Sequence, residues 1–316
     1  MENFTINEII NTDFKVSAQS PVIRPFHGSF VAADPSLLTP DKTPDGRWHI
    51  FFHTTFGVWH FLSPDGINFE KAQKICPDAM RADINYINGK YVLYYEHTRR
   101  LIFNALNVAG LAKWKSGIYM TQSDDLLHWS EPEAVIGNTR EFEKSGKGYS
   151  ISNPFYLDVN GKSRLYYSCG LTFIKDCGFS EPTYINYAES DAYNGKFTAS
   201  GKPIIEPDKN DPYLNLCSGC LKVYKLKDGF IGIQNGIYES GGKSQSAIIL
   251  LKSDDGLKFE FVKPLLEPDP SIPWMAQYVY ASHLVNYNGE LRLYFNARDK
   301  SAMLTGRECI GYAVNR

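Results

Sequence analysis

Ala32-Ala33-Asp34-Pro35-Ser36-Leu37-Leu38, followed by Asp45-Gly46-Arg47-Trp48-His49-Ile50-Phe51-Phe52-His53, decides how this chain reads. A short strand starts at an acidic residue and runs into a Gly turn. An aromatic-rich strand then returns. The unit recurs four more times. Arg81-Ala82-Asp83-Ile84 leads through Asn88-Gly89 to Tyr91-Val92-Leu93-Tyr94-Tyr95-Glu96. Ser152-Asn153-Pro154-Phe155 leads through Asn160-Gly161 to Leu165-Tyr166-Tyr167-Ser168. Ser218-Gly219-Cys220-Leu221 leads through Asp228-Gly229 to Ile231-Gly232-Ile233-Gln234-Asn235. Ser282-His283-Leu284-Val285 leads through Asn288-Gly289 to Leu291-Arg292-Leu293-Tyr294-Phe295-Asn296. Asn-Gly and Asp-Gly between apolar runs mark tight hairpins, whose turns require positive φ.

Each hairpin is followed by a third strand and a polar turn. Gly57–Ser63 precedes Pro64-Asp65-Gly66, Gly117–Ser123 precedes Asp124-Asp125-Leu126, and Ala247–Ser253 precedes Asp254-Asp255-Gly256. Fourth strands are expected around Asn68–Lys71, His128–Ser130, Gly195–Phe197 and Lys258–Glu260. The last unit ends at Cys309–Val314 without one. The pattern predicts an all-β chain: a single five-bladed β-propeller of four-stranded antiparallel blades over residues 1–316, closed by an N-terminal strand. Pro21–Phe26 is assigned the closing role. Repeat starts at 34, 83, 153, 218 and 283 are 49 to 70 residues apart, so long loops are expected, with a short helix around Asn104–Ala109.

Composition narrows the function. The 316 residues carry a net charge of −2, which gives no basic face for nucleic acid. No apolar run approaches the ~20 residues that span a bilayer. The first residues show no secretory signal, so a cytoplasmic location is expected. Six Cys, with Cys217 and Cys220 alone forming a CxxC spacing, read as reduced buried thiols rather than half a zinc site. Nothing in the sequence fixes the oligomeric state.

The opening Ala33-Asp34-Pro35, the Tyr86-Ile87-Asn88-Gly89-Lys90-Tyr91 turn and the Ser123-Asp124-Asp125-Leu126 to Trp129 outer turn together resemble the five-bladed β-propeller glycoside hydrolases, family 43 and its relatives in families 32, 62, 68 and 117. The resemblance runs over nearly the whole chain. It implies a glycosidase of the arabinofuranosidase or xylosidase kind, a carbohydrate substrate, no required cofactor, and room for a single ion on the propeller axis. It also implies three carboxylates at inner-strand starts: a base, a residue that tunes pKa, and an acid. Asp34 matches the base. The other two places hold Asn153-Pro154 and Ser218-Gly219-Cys220.

Strand direction supplies the rest of the candidates. Inner strands that begin at a central funnel place Asp34, Asp83, Asn153, Ser218 and His283 there, and the antiparallel second strands end there with His53, Glu96, His97, Ser168, Asn235, Asn296 and Arg298. Glu181 joins them from the loop of the third unit. Asp34 reads as base or nucleophile, or as a cap on the Pro35 turn. Asp83 reads as the tuner or a sugar-hydroxyl ligand, or as a partner of Arg81 or Arg99. Glu96, Glu181 and, by resemblance to family 117, His283 compete for the acid. His53, His97, Asn153, Ser218, Asn235, His283 and Arg298 are candidate substrate ligands, and Arg298 with Arg99 and Arg100 would make an anion pocket. Trp59, Trp114 and Trp274 are sugar platforms or inter-blade packing; Trp48 and Trp129 are core. Two other functions stay open: a carbohydrate-binding propeller that has lost its acid, and a phosphorylase or other sugar-modifying enzyme on the same scaffold.

Overall fold

The computed structural model describes residues 1–98, 113–137, 140–145, 147–302 and 305–315. The chain forms the five-bladed propeller, with each blade a four-stranded antiparallel sheet. Blade one is Ala33–Leu38, Trp48–Thr54, Gly57–Ser63 and Glu70–Cys76. Blade two is Ala79–Ile87, Lys90–Thr98, Trp114–Ser123 and Glu133–Ile136, with Gly148–Tyr149 added in parallel to Trp114 and Lys115. Blade three is Ile151–Val159, Lys162–Cys169, Tyr184–Ser190 and Thr198–Ala199; blade four is Leu221–Leu226, Gly229–Ser240, Lys243–Ser253 and Glu260–Leu266. Blade five is Tyr278–Tyr287, Glu290–Arg298 and Glu308–Asn315, completed by Phe14–Val16.

The hairpin turns follow their sequences. Asn88-Gly89, Asn160-Gly161 and Asn288-Gly289 all hold positive φ at both residues, the mirror-image turn that matches strand twist. The polar turn after the third strand is built alike in three blades. The Asp65, Asp125 and Asp255 carboxylates each accept two successive backbone N–H groups at 2.8–2.9 Å. Those turns also lock blades together: Tyr294 Oη donates to Gly66 O and Tyr166 Oη to Gly256 O, both at 2.8 Å. Aromatic second strands therefore fill the space between blades and reach the neighbouring turn with their hydroxyls. Trp48 is buried as expected, against Tyr287 and Tyr294.

Three details differ from the sequence reading. The closing strand is Phe14–Val16, paired with Asn315, Val314 and Ala313, whereas Pro21–Phe26 contributes only a single bridge from Ile23 to Ile310. Prolines at both ends of that segment remove the donors a full strand needs. The outer strands start later than expected, at Glu70, Glu133, Thr198 and Glu260, and in blades one, two and four the Asp turns take up the positions assigned to them. The inserted helix around Asn104–Ala109 lies outside the described residues, as do Arg99 and Arg100. All six cysteines are buried and unpaired.

Candidate active site

Inner strands carry one extra residue where they leave the hub. The register shifts between Ala33 and Ser36, Met80 and Asp83, Ser152 and Phe155, and Val279 and Ser282. A bulge of this kind re-aims a side chain. It puts Asp34, Arg81 and Asn153 at φ 54°, 54° and 48°, and Gly219 at 58°. These four line one cavity of about 200 Å³ at the mouth of the hub. A Cβ at Gly219 would stand 2.2 Å from the Asn235 carbonyl oxygen, so blade four presents backbone here and no side chain.

Asp34 is hydrogen-bonded on two sides and faced by an imidazole on a third. Asn153 Nδ2 donates to its Oδ1 at 2.7 Å, His53 Nδ1 stands 3.4 Å from its Oδ2, and its own N–H donates to Asn296 Oδ1 at 3.1 Å. Burial pushes His53 down to about 4, against the pull of the Asp34 charge, so the imidazole is neutral at pH 7.

Two further carboxyls face the same cavity. Glu181 closes the hairpin Thr172–Ile174 and Phe179–Glu181, which is inserted between the second and third strands of blade three. Burial pushes it up to about 8; Arg81 opposes this, and the charges of Glu308 and Asp34 add to it. Glu308 opens the third strand of blade five, and burial pushes it up to about 7, with Arg298 opposing and Asp34 adding. Glu308 lies 3.5 Å from Arg298 Nη1 and accepts a hydrogen bond from Asn296 Nδ2. Arg298 is anchored in the wall, its Nε and Nη2 donating to Lys300 O and Ala302 O. The cavity thus combines a hydrogen-bonded carboxylate with a carboxyl, Glu181, that keeps its proton at neutral pH, the separation that acid–base chemistry needs.

The cavity gathers Asp34, His53, Asn153, Glu181, Asn235, Asn296 and Arg298 from the sequence candidates. Asn235 Nδ2 is turned to the Val279 carbonyl at 3.1 Å. Six candidates lie elsewhere, among them Ser168, fully buried opposite Ser152. Asp83 is two residues past the bulge, level with Ser36, and is fully buried. Its Oδ2 accepts from Tyr156 N–H and Asn85 Nδ2, and its Oδ1 lies 3.5 Å from Lys222 Nζ. Glu96 is fully buried behind Arg81: Arg81 Nη1 donates to it at 2.6 Å, and Trp114 Nε1 and Ser150 Oγ donate to its other oxygen. His97 alternates to the opposite strand face and packs on Tyr119. Ser218 is buried, and the cavity is lined instead by Gly219 and Cys220. His283 is buried one layer below, against Phe155 and Tyr224.

Trp59, Trp114 and Trp274 do not line the cavity. Trp59 packs on Phe26, Trp274 on Phe295, and Trp114 ties down Glu96. Trp129 is packed edge-on against Phe51. The sequence reading missed Arg81 as a cavity residue, although it takes the bulge position equivalent to Asp34. It missed Glu308, which begins a third strand, and Tyr280, which takes the bulge position of blade five while the reading placed His283 there.

An ion on the axis does not fit the residues found there. Where the inner strands of blades one to four meet, the Lys222 ammonium already faces Asp83 Oδ1 and Pro154 O, each at 3.5 Å, over the ring of Phe155. Among the described residues no group of three or more His, Cys, Asp or Glu gathers to hold a metal.

No protein-family model and no curated protein matches the sequence. Solved structures match over nearly its whole length. An N-acetylgalactosamine deacetylase from F. plautii, in complex with blood group B trisaccharide, is 15% identical with a TM-score of 0.67, covering 96% of this chain and 95% of that one. An α-L-arabinofuranosidase from Podospora anserina, in complex with cellotriose, is 12% identical with a TM-score of 0.69 over 97% and 98% of the two chains. A structure described under the family 130 mannoside phosphorylases, which contain hydrolases targeting β-1,2 mannosidic linkages in Candida mannan, is 15% identical with a TM-score of 0.61 over 99% and 96%. At these identities the likeness is one of fold: the chain shares the five-bladed propeller on which these enzymes are built.

Proposed function

We propose that the protein cleaves a glycosidic bond of a small or modified sugar held in the central funnel, with Asp34 as base or nucleophile and Glu181 as acid. One observation carries the reading: a carboxylate residue hydrogen-bonded to Asn153 and Asn296 shares a cavity with a carboxyl that burial pushes up to about 8. Glu181 gives its proton to the leaving oxygen as the bond to the anomeric carbon breaks. Asp34 takes a proton from the water that forms the new bond, or bonds to that carbon itself and is later released by water. Asn153 holds one Asp34 oxygen, neutral His53 lies beside the other while its Nδ1 accepts from the Arg81 N–H, and the Arg81 side chain, tethered to Glu96, faces both reacting carboxyls. The solved structures similar in fold support a sugar as the ligand, since two of them hold oligosaccharides.

The test is a panel of phenyl and 2,4-dinitrophenyl glycosides. Asp34→Asn is expected to lower kcat about 10²–10⁴-fold on both. Glu181→Gln is expected to lose a similar factor on the phenyl glycoside, whose leaving group needs a proton, and little on the dinitrophenyl one. An Asp34→Asn protein with an unchanged rate removes the proposal. Phosphate-dependent turnover would redirect it to phosphorolysis. Asn153 and Ser218, standing where the resembling family places carboxylates, favour a second reading as a sugar-binding propeller. Calorimetry that shows binding while all glycosides survive would select that one.

A further inference from the structure

Glu308 has no counterpart among the inner-strand carboxyls from which this kind of site was read, yet the structure builds the Asp34 end of the cavity on it. Its N–H donates to Phe30 O and its carbonyl accepts from Ala32 N–H, both at 3.0 Å, so its backbone brackets the segment leading into Asp34. Its side chain continues the link. Asn296 has one acceptor and one donor group on its amide, and the acceptor is taken by the Asp34 N–H. The NH₂ must then face an acceptor, and the Glu308 carboxylate is that acceptor.

We propose that Glu308 is a positioning residue of the reaction: it fixes the Asn296 amide against Asp34, and it sets its own charge opposite Glu181 across the cavity. This rests on the reading of Glu181 as the acid. The chain Glu308–Asn296–Asp34 holds the base where the backbone is in the left-handed region, which an L residue keeps only when its surroundings hold it. The electrostatic half follows from what surrounds Glu308. Asp34 faces it from blade one, Arg81 from blade two, Arg298 and Tyr280 from blade five, and Glu181 from the blade-three hairpin. Arg298 favours Glu308 ionised most strongly, and the Asn296 hydrogen bond and the Arg81 charge add to it. An ionised Glu308 in turn disfavours a second charge on Glu181, so the proton stays on the acid as two like groups share one site.

The experiment is a carbon-13 NMR titration of the carboxyl groups in the wild-type protein, Glu308→Gln and Glu308→Asp, with Glu181→Gln assigning the Glu181 signal. The expected result is that Glu181 titrates at lower pH in Glu308→Gln and near its wild-type position in Glu308→Asp. On a phenyl glycoside, Glu308→Gln should lose about tenfold in rate at pH 8 relative to pH 6, and Glu308→Asp should lower kcat with the alkaline limb unmoved. A Glu181 titration unmoved in folded Glu308→Gln overturns the proposal. If that variant does not fold, a Glu181 titration displaced in Glu308→Asp, where the charge is kept, overturns it instead. Failure of the function is separate: no rate loss in Glu181→Gln sinks the acid assignment, whereas a loss there with an unmoved Glu181 titration in Glu308→Gln sinks only the role of Glu308.

Discussion

Asp34 sits at φ 54°, where an L residue is strained and Asp or Asn is better tolerated than most. The Asp-Pro opening made it legible in the sequence. Arg81 was not, because its neighbour Asp83 looked like the repeat of Asp34; only the bulge shows that Arg81 is the equivalent. Arg81 is also the ionic partner of the fully buried Glu96. Arg81→Met leaves that charge unpaired and should cost about 3–5 kcal/mol, read as a lower denaturant midpoint. Unchanged stability would mean that Trp114 and Ser150 suffice. Glu181 gives a pH signature. Its folded pKa of about 8 lies above the ordinary 4.5, so the folded state binds a proton that the unfolded state has released between those values. Stability from this group therefore falls as pH rises through that window. Glu181→Gln should flatten the fall and make the protein more stable than wild type at pH 8, measured by denaturant unfolding at pH 5 and pH 8. A steeper fall in the variant would contradict the burial argument.

At the scale of elements, the first strand of a blade does two jobs on one stretch of chain. Residues before the bulge face the cavity; those after it converge at the hub. That division explains why Asp83 and His283 were drawn to the wrong level. Their residue types matched a site, but one extra backbone residue moved them below it. The Asp83–Lys222 pair joins blades two and four in the hub. Lys222→Met should cost about 3–5 kcal/mol by stranding Asp83, and the further change Asp83→Asn should recover much of it. Thermal unfolding of the single and double variants checks this, and simple additivity of the two losses would show that the residues do not act as a pair. The hairpin Phe179–Glu181 was visible only as an interruption of blade three. Its use as the carrier of Glu181 depends on where that insertion folds back.

For the whole molecule, closure is the decisive event. Without Phe14–Val16 the far end of the last strand, Ala313 to Asn315, would be an open edge, on the strand whose other end carries Glu308. Ile9 and Phe14 also belong to the core shared by blades three to five. Deleting residues 1–16 should lower the unfolding temperature and promote association, seen by light scattering after gel filtration. A monomer with an unchanged unfolding temperature would show that the closing strand is dispensable. The sequence alone determined the count of blades, their hairpins and the prominence of Asp34, because turn chemistry and strand alternation are local and each repeat states them again. Only the tertiary structure decided which polar residues share the cavity. Bulges, an inserted hairpin and the meeting of first and last blades bring Arg81, Glu181 and Glu308 beside Asp34 from positions far apart in the chain. No local pattern records such a meeting, because it arises from closing the ring.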